Sequence, residues 1–110
     1  SILVTEFLNK ELKFHNNKII INCASIEYFK AINTETLKAD IVTPVFKEIR
    51  NGQPKVISFF AKRARGAMAR YIITNQINDI DGILSFDLDS YTYDESLSSR
   101  FGPVFTRYSA

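Results

Sequence analysis

The segment Ala61-Lys62-Arg63-Ala64-Arg65-Gly66-Ala67-Met68-Ala69-Arg70-Tyr71-Ile72-Ile73-Thr74-Asn75-Gln76 decides how the rest of the chain is read. At about 100° per residue, Ala61, Ala64, Ala67, Met68, Tyr71 and Ile72 share one arc, so the spacing predicts a helix packed on a core through that arc. Lys62, Arg63 and Arg70 fall on the opposite side with Gly66 between them, and Arg65 sits at the boundary. A glycine inside a helix costs about 1 kcal/mol relative to alanine. Two things would account for Gly66: tight packing against a neighbouring element, or a need for bare backbone where a phosphate can come close.

Just upstream, Asn51-Gly52 is the residue pair that suits a type I′ turn, which needs positive φ at both central positions. A two-residue loop would put Glu48 opposite Lys55 as an ion pair, Phe46 opposite Ile57 as an apolar pair, and Lys47 opposite Val56. The second strand is expected from Lys55 to Phe60, running almost directly into the helix. Pro44 and Pro54 lack a ladder donor, which favours an edge or strand ends.

Towards the N-terminus, Ile2, Leu3, Val4, Phe7, Leu8 and Leu12 repeat as in an amphipathic helix over residues 2–14, with His15 at its end, where the dipole favours a cation. A short strand is expected at Lys18-Ile19-Ile20-Ile21-Asn22, followed by a small buried Cys23. Ser25 would then cap a helix over residues 26–32. Towards the C-terminus, residues 79–84 read as a loop and short turn, and Ser90-Tyr91-Thr92-Tyr93 and Val104-Phe105-Thr106-Arg107-Tyr108 as strands. Helices and strands mix without regular alternation. The fold class is therefore α+β, with a mixed or mostly antiparallel sheet and a central basic helix after a β-hairpin.

With 45% hydrophobic and 13% aromatic residues in 110, the chain falls in the globular class. No stretch of about 18 apolar residues occurs and no basic-then-apolar leader opens the sequence, so cytoplasm is the default expectation, with no membrane partner. The single cysteine cannot form an internal disulfide and fits a reducing compartment. The apolar periodicity starts at Ile2 with no capping residue before it, as if the chain began inside something larger. An apolar patch including residues such as Ile2, Val4 or Phe101 would then be exposed.

The net charge of +2 is unevenly spread: residues 1–78 hold twelve Lys and Arg against six Asp and Glu, whereas residues 79–95 hold six acids and no base. Asp79-Ile80-Asp81 and Asp87-Leu88-Asp89 lack a glycine-bearing calcium loop and read as solvated loops. One histidine and one cysteine do not build a zinc site of the usual kind. Ser25 has no base at a telling spacing, and Cys23 no basic neighbour to lower its pKa. The sequence thus points to no catalytic residue, no metal and no cofactor.

Asn22-Cys23-Ala24-Ser25-Ile26-Glu27-Tyr28-Phe29, then Pro44-Val45-Phe46, then Asn51-Gly52, then the run from Ile57 to Arg70 resemble in order and spacing the C-terminal half of the YaaA family of bacterial peroxide-stress-resistance proteins. By position, the family's Asn-x-Ala-Ser-x-Glu-Tyr segment falls on Asn22, Ala24, Ser25, Glu27 and Tyr28. Its Ala-Lys-x-Ala-Arg-Gly-x-Met-x-Arg segment falls on Ala61, Lys62, Ala64, Arg65, Gly66, Met68 and Arg70. The resemblance implies a cytoplasmic protein induced under peroxide stress that limits damage linked to free iron, with a basic cleft suited to DNA. It also implies that residues 1–110 are the C-terminal portion of a longer domain. The N-terminal half, with a helix-hairpin-helix element, would be a partner of this piece.

Three readings follow for the basic helix. In the first, Lys62, Arg63, Arg65, Gly66 and Arg70 contact DNA phosphates without reading sequence. The head groups of Lys62, Arg63 and Arg70 would then be exposed above buried Met68 and Ile72, whereas Arg65 could be paired inside the fold. A pI near 8.7 makes any such footprint local. In the second, an enzyme or small-anion site is completed by the N-terminal half, with Lys62, Arg65 and Arg70 facing a cleft beside Asn22, Ser25, Glu27 and Tyr28. In the third, the helix is structural and pairs with Asp87, Asp89, Asp94 and Glu95.

Overall fold

The computed structural model describes residues 2–4, 19–23 and 40–108. Strands β1 (Ile2–Val4), β2 (Ile19–Ile21) and β3 (Asp40–Val42) form an all-parallel sheet in that order. Residues 2–4 are therefore strand, where the periodicity suggested helix. Three consecutive apolar residues, two of them β-branched, suit a parallel strand as well as the first turn of an amphipathic helix. Pairing with the Ile19-Ile20-Ile21 run selects the strand. The rest of the expected first helix, His15, Ser25 and the helix over residues 26–32 lie outside the described residues. The strand expected around residues 18–22 is present, and Cys23 is buried beyond it.

A second sheet holds β4 (Val45–Arg50), β5 (Gln53–Lys55), β6 (Thr92–Tyr93) and β7 (Val104–Tyr108) in the order β5-β4-β7-β6. It is mixed: β4 pairs antiparallel with β5 and parallel with β7, and β6 pairs antiparallel with β7. The hairpin turn forms at Asn51 and Gly52, with φ of 53° and 75°, so the local signal is obeyed. Glu48 and Lys55 are register partners as expected. The ladder ends there, however, and Phe46 pairs with Phe105 on β7 rather than with Ile57. Pro54 sits in β5, the edge strand, where its missing N–H costs no ladder bond.

Helix α1 (Ser58–Thr74) begins three residues before the expected Ala61, and residues 58–60, expected as strand, form its first turn. Ala61 N already donates to Ile57 O at 2.9 Å. Ala61, Ala64, Ala67, Met68, Ala69 and Ile72 are buried, and the small side chains let the helix backbone lie close to its neighbours. At its C-terminus Ile77 N donates to Ile72 O at 2.9 Å and Gln76 N to Ile73 O at 3.3 Å. This is a Schellman stop, in which Gln76 takes the left-handed position at φ 52°. Residues expected as a loop and short turn then form the short helix α2 (Ile80–Leu84), started by Asp79, whose Oδ1 accepts from Gly82 N at 2.8 Å. The strand expected from Ser90 is shorter, because Leu88–Ser90 makes a 3₁₀ turn before β6.

The core between α1 and the second sheet is aromatic. Phe46 has its ring centroid 5.3 Å from those of Tyr91 and Phe105 and 5.8 Å from Phe86, within the range of favourable ring pairs. Tyr71 is half-buried; it packs its ring edge on Phe86 at 5.4 Å and donates its hydroxyl to Gly82 O at 2.9 Å, tying α1 to α2. At the surface Phe101 is 43% exposed, with the Arg100 guanidinium over its ring.

Candidate functional site

Residues 59, 62, 63, 66 and 70 are spaced i, i+3, i+4, i+7 and i+11, which puts them on one stripe of α1. Phe59, Lys62, Arg63, Gly66 and Arg70, together with Asp89 from the opposite loop, line an open groove of about 480 Å³. Lys62, Arg63 and Arg70 are exposed, whereas Met68 and Ile72 beneath them are buried. Arg65 is half-buried and, like the other three, makes no salt bridge among the described residues. The interior pairing considered for Arg65 is therefore not found there.

Gly66 forms the floor. A Cβ at this position would meet only the far end of Arg70, its Nη1 at 3.4 Å, among the described residues. Among these residues no neighbouring element packs on the glycine. Arg70 lies back over Gly66 because helical side chains lean towards the N-terminus. The N-terminal turn adds its own partial positive charge, which no acidic side chain in that turn offsets.

The opposite wall is held in an unusual conformation. Asp89 has φ 55° and ψ 33°, and Ser90 has φ 69°. Two successive non-glycine residues in the left-handed region store strain, which persists only where the surroundings enforce it. Here the enforcement comes from Arg107 on β7, whose Nη1 donates to Asp89 O at 3.1 Å and whose Nε donates to Glu48 Oε1 at 2.7 Å. The guanidinium lies 4.4 Å from the Tyr91 ring centroid and 5.1 Å from that of Phe60. Tyr91 Oη donates to the other Glu48 oxygen at 2.6 Å.

Glu48 is buried, with both carboxylate oxygens occupied by these donors. The ion pair expected with Lys55 is thus replaced by one with Arg107, a planar donor stacked on two rings and able to serve two acceptors at once. Burial foremost, then the hydrogen bond to Glu48 and its charge, push the Tyr91 hydroxyl well above the usual tyrosine range. The bond to Glu48 likewise makes Arg107 still harder to deprotonate.

The acids do not neutralise the helix by contact. Among the described residues no salt bridge joins α1 to Asp87, Asp89, Asp94 or Glu95. Asp94 is engaged in its own turn, accepting from Ser96 Oγ at 2.6 Å and Leu97 N at 3.3 Å. Asn22 is buried beside Thr43, 3.5 Å from its hydroxyl, and is not among the residues lining the groove. Ser25, Glu27 and Tyr28 lie outside the described residues. Phe59 is the groove residue that sequence reasoning misses, because the hairpin pattern places it in a strand.

A groove lined by three exposed cations of α1 and walled by a strained loop braced by Arg107 is the candidate site of this α+β scaffold. The family model described as "Peroxide stress protein YaaA" matches residues 2–97, and the chain belongs to this family. It is 51% identical over 105 residues to a UPF0246 protein of Shewanella denitrificans, covering 96% of this chain and 41% of the relative. It is 53% identical over 104 residues to one of Shewanella oneidensis, covering 94% and 40%, and 50% identical over 105 residues to one of Colwellia psychrerythraea, covering 96% and 41%. The chain thus spans about two fifths of the length of these relatives. No helix among the described residues is long and apolar enough to cross a membrane.

Proposed function

We propose that the groove along α1 binds DNA through its phosphates without reading base sequence, within a cytoplasmic protein that limits oxidative damage linked to free iron. The observation that carries this reading is the convergence of Lys62, Arg63 and Arg70 on one groove, exposed and in no salt bridge among the described residues. Cations held this way release counterions from a polyanion and give affinity that falls steeply with salt. Arg65 flanks the stripe, and the missing side chain at Gly66 lets the Arg70 guanidinium lie low in the groove, where a phosphate can meet it beside Arg63. The peroxide-stress family supports the cellular setting.

The test is salt-titrated binding of the full-length protein and of its Arg63→Ala, Arg70→Ala double variant to unrelated duplexes. The variant should bind all of them more weakly to about the same extent, with the log–log salt slope flattened by roughly one unit for each phosphate left without its arginine. Folding stability should change by less than about 1 kcal/mol, since exposed charges contribute little. An unchanged slope would remove this groove from the interface.

A further inference from the structure

Phe59 is 65% exposed, yet it stands in the first turn of α1 within the cationic groove. Single exposed apolar residues are ordinary on a protein surface. This one differs by its company. The Arg63 guanidinium lies 5.9 Å from its ring centroid, and Lys62, Gly66 and Arg70 continue the same stripe. Its ring is also backed edge-on by Phe60, with centroids 5.5 Å apart at 71°. Phe60 is in turn covered by Arg107, the residue that braces the opposite loop. The ring is therefore supported while much of its surface remains open.

An open aromatic face beside a line of cations is the arrangement that receives a base and its phosphates together. A base can use it only when it is out of the duplex stack, since paired bases present their faces to one another. We propose that Phe59 is a stacking platform for an unpaired base, so that the groove takes single-stranded DNA in preference to a fully paired stretch. This rests on the nucleic-acid reading of the same groove.

The experiment compares oligo(dT) with a blunt duplex of equal length, using the full-length protein and its Phe59→Ala, Phe59→Leu and Phe59→Trp variants. The parent should prefer the single strand. Phe59→Ala and Phe59→Leu should each lose about tenfold or more in single-strand affinity and several-fold less than that in duplex affinity, because leucine keeps apolar bulk but has no π face. Phe59→Trp should retain affinity, and the introduced indole should be quenched by oligo(dT). Equal thermal midpoints for the four proteins would confine the effect to binding. If the Phe59 variants bind oligo(dT) as the parent does, the stacking role is overturned, whereas a salt-dependent weakening in the Arg63 and Arg70 double variant would leave phosphate binding standing. If the parent binds neither DNA, both readings fall.

Discussion

The Glu48 carboxylate is gripped at both oxygens by residues distant in sequence, with Tyr91 Oη on Oε2 at 2.6 Å and Arg107 Nε on Oε1 at 2.7 Å. A buried carboxylate is costly unless its acceptors are filled. Tyr91→Phe leaves one oxygen unfilled and should cost about 1–3 kcal/mol, read by urea unfolding at neutral pH. Glu48→Ala, which strands the Arg107 charge, should cost about 3–5 kcal/mol. A near-neutral result for both would mean that the triad does not hold the sheet.

The same hydroxyl makes stability sensitive to alkali. Its folded pKa is raised above the usual value, so its contribution is complete below about pH 10, the ordinary tyrosine range, and is lost as pH rises through the folded value. The parent should therefore lose stability above about pH 10, and Tyr91→Phe, having no proton to lose there, should show a shallower decline. Unfolding curves at a series of alkaline pH values measure this. Parallel declines would contradict it.

Gly66 separates stability from binding. Alanine fits its helical backbone and should stabilise α1 by about 0.5–1 kcal/mol. The added Cβ meets Arg70 Nη1 at 3.4 Å and raises the floor of the groove. Gly66→Ala should thus have a higher thermal midpoint and weaker DNA binding. A gain in both would mean that the bare backbone is not used.

Asp89 can be probed in two directions. Asparagine tolerates the left-handed conformation, so Asp89→Asn should keep the loop and remove the one acid that lines the groove among the described residues. DNA affinity should rise about two- to fivefold at low salt and less at high salt. Valine is poorly suited to that conformation, and Asp89→Val should cost about 1–3 kcal/mol. Binding isotherms at two salt concentrations and a melting curve test both.

The parts of this fold that can be read from sequence are those whose cause is local. Asn51-Gly52 sets its turn through its own φ preferences, and the buried arc from Ala61 to Ile72 follows from helical spacing alone. Ile2–Val4 reads as helix because a short apolar run fits either period until its partner, here Ile19–Ile21, is known. Lys55 is the nearest cross-strand cation to Glu48, and nothing local announces a guanidinium 59 residues away on a parallel strand. For the candidate site, the cations of the groove are legible and one wall is not. Starting the helix at Ala61 rather than Ser58 hides the stripe joining Phe59 to Lys62 and Arg63, and the strained turn at Asp89 carries no glycine to advertise it.

Because β7 lies between β4 and β6, the order of synthesis matters. While the ribosome is making residues 51–103, β4 can close its hairpin with β5, but its other edge has no strand beside it. Phe46 lacks Phe105 and Glu48 lacks Arg107 until residues 104–108 emerge. Until then the nascent chain carries an open sheet edge next to an incompletely covered aromatic cluster, the kind of surface that chaperones shield and that a stalled ribosome would leave prone to aggregation.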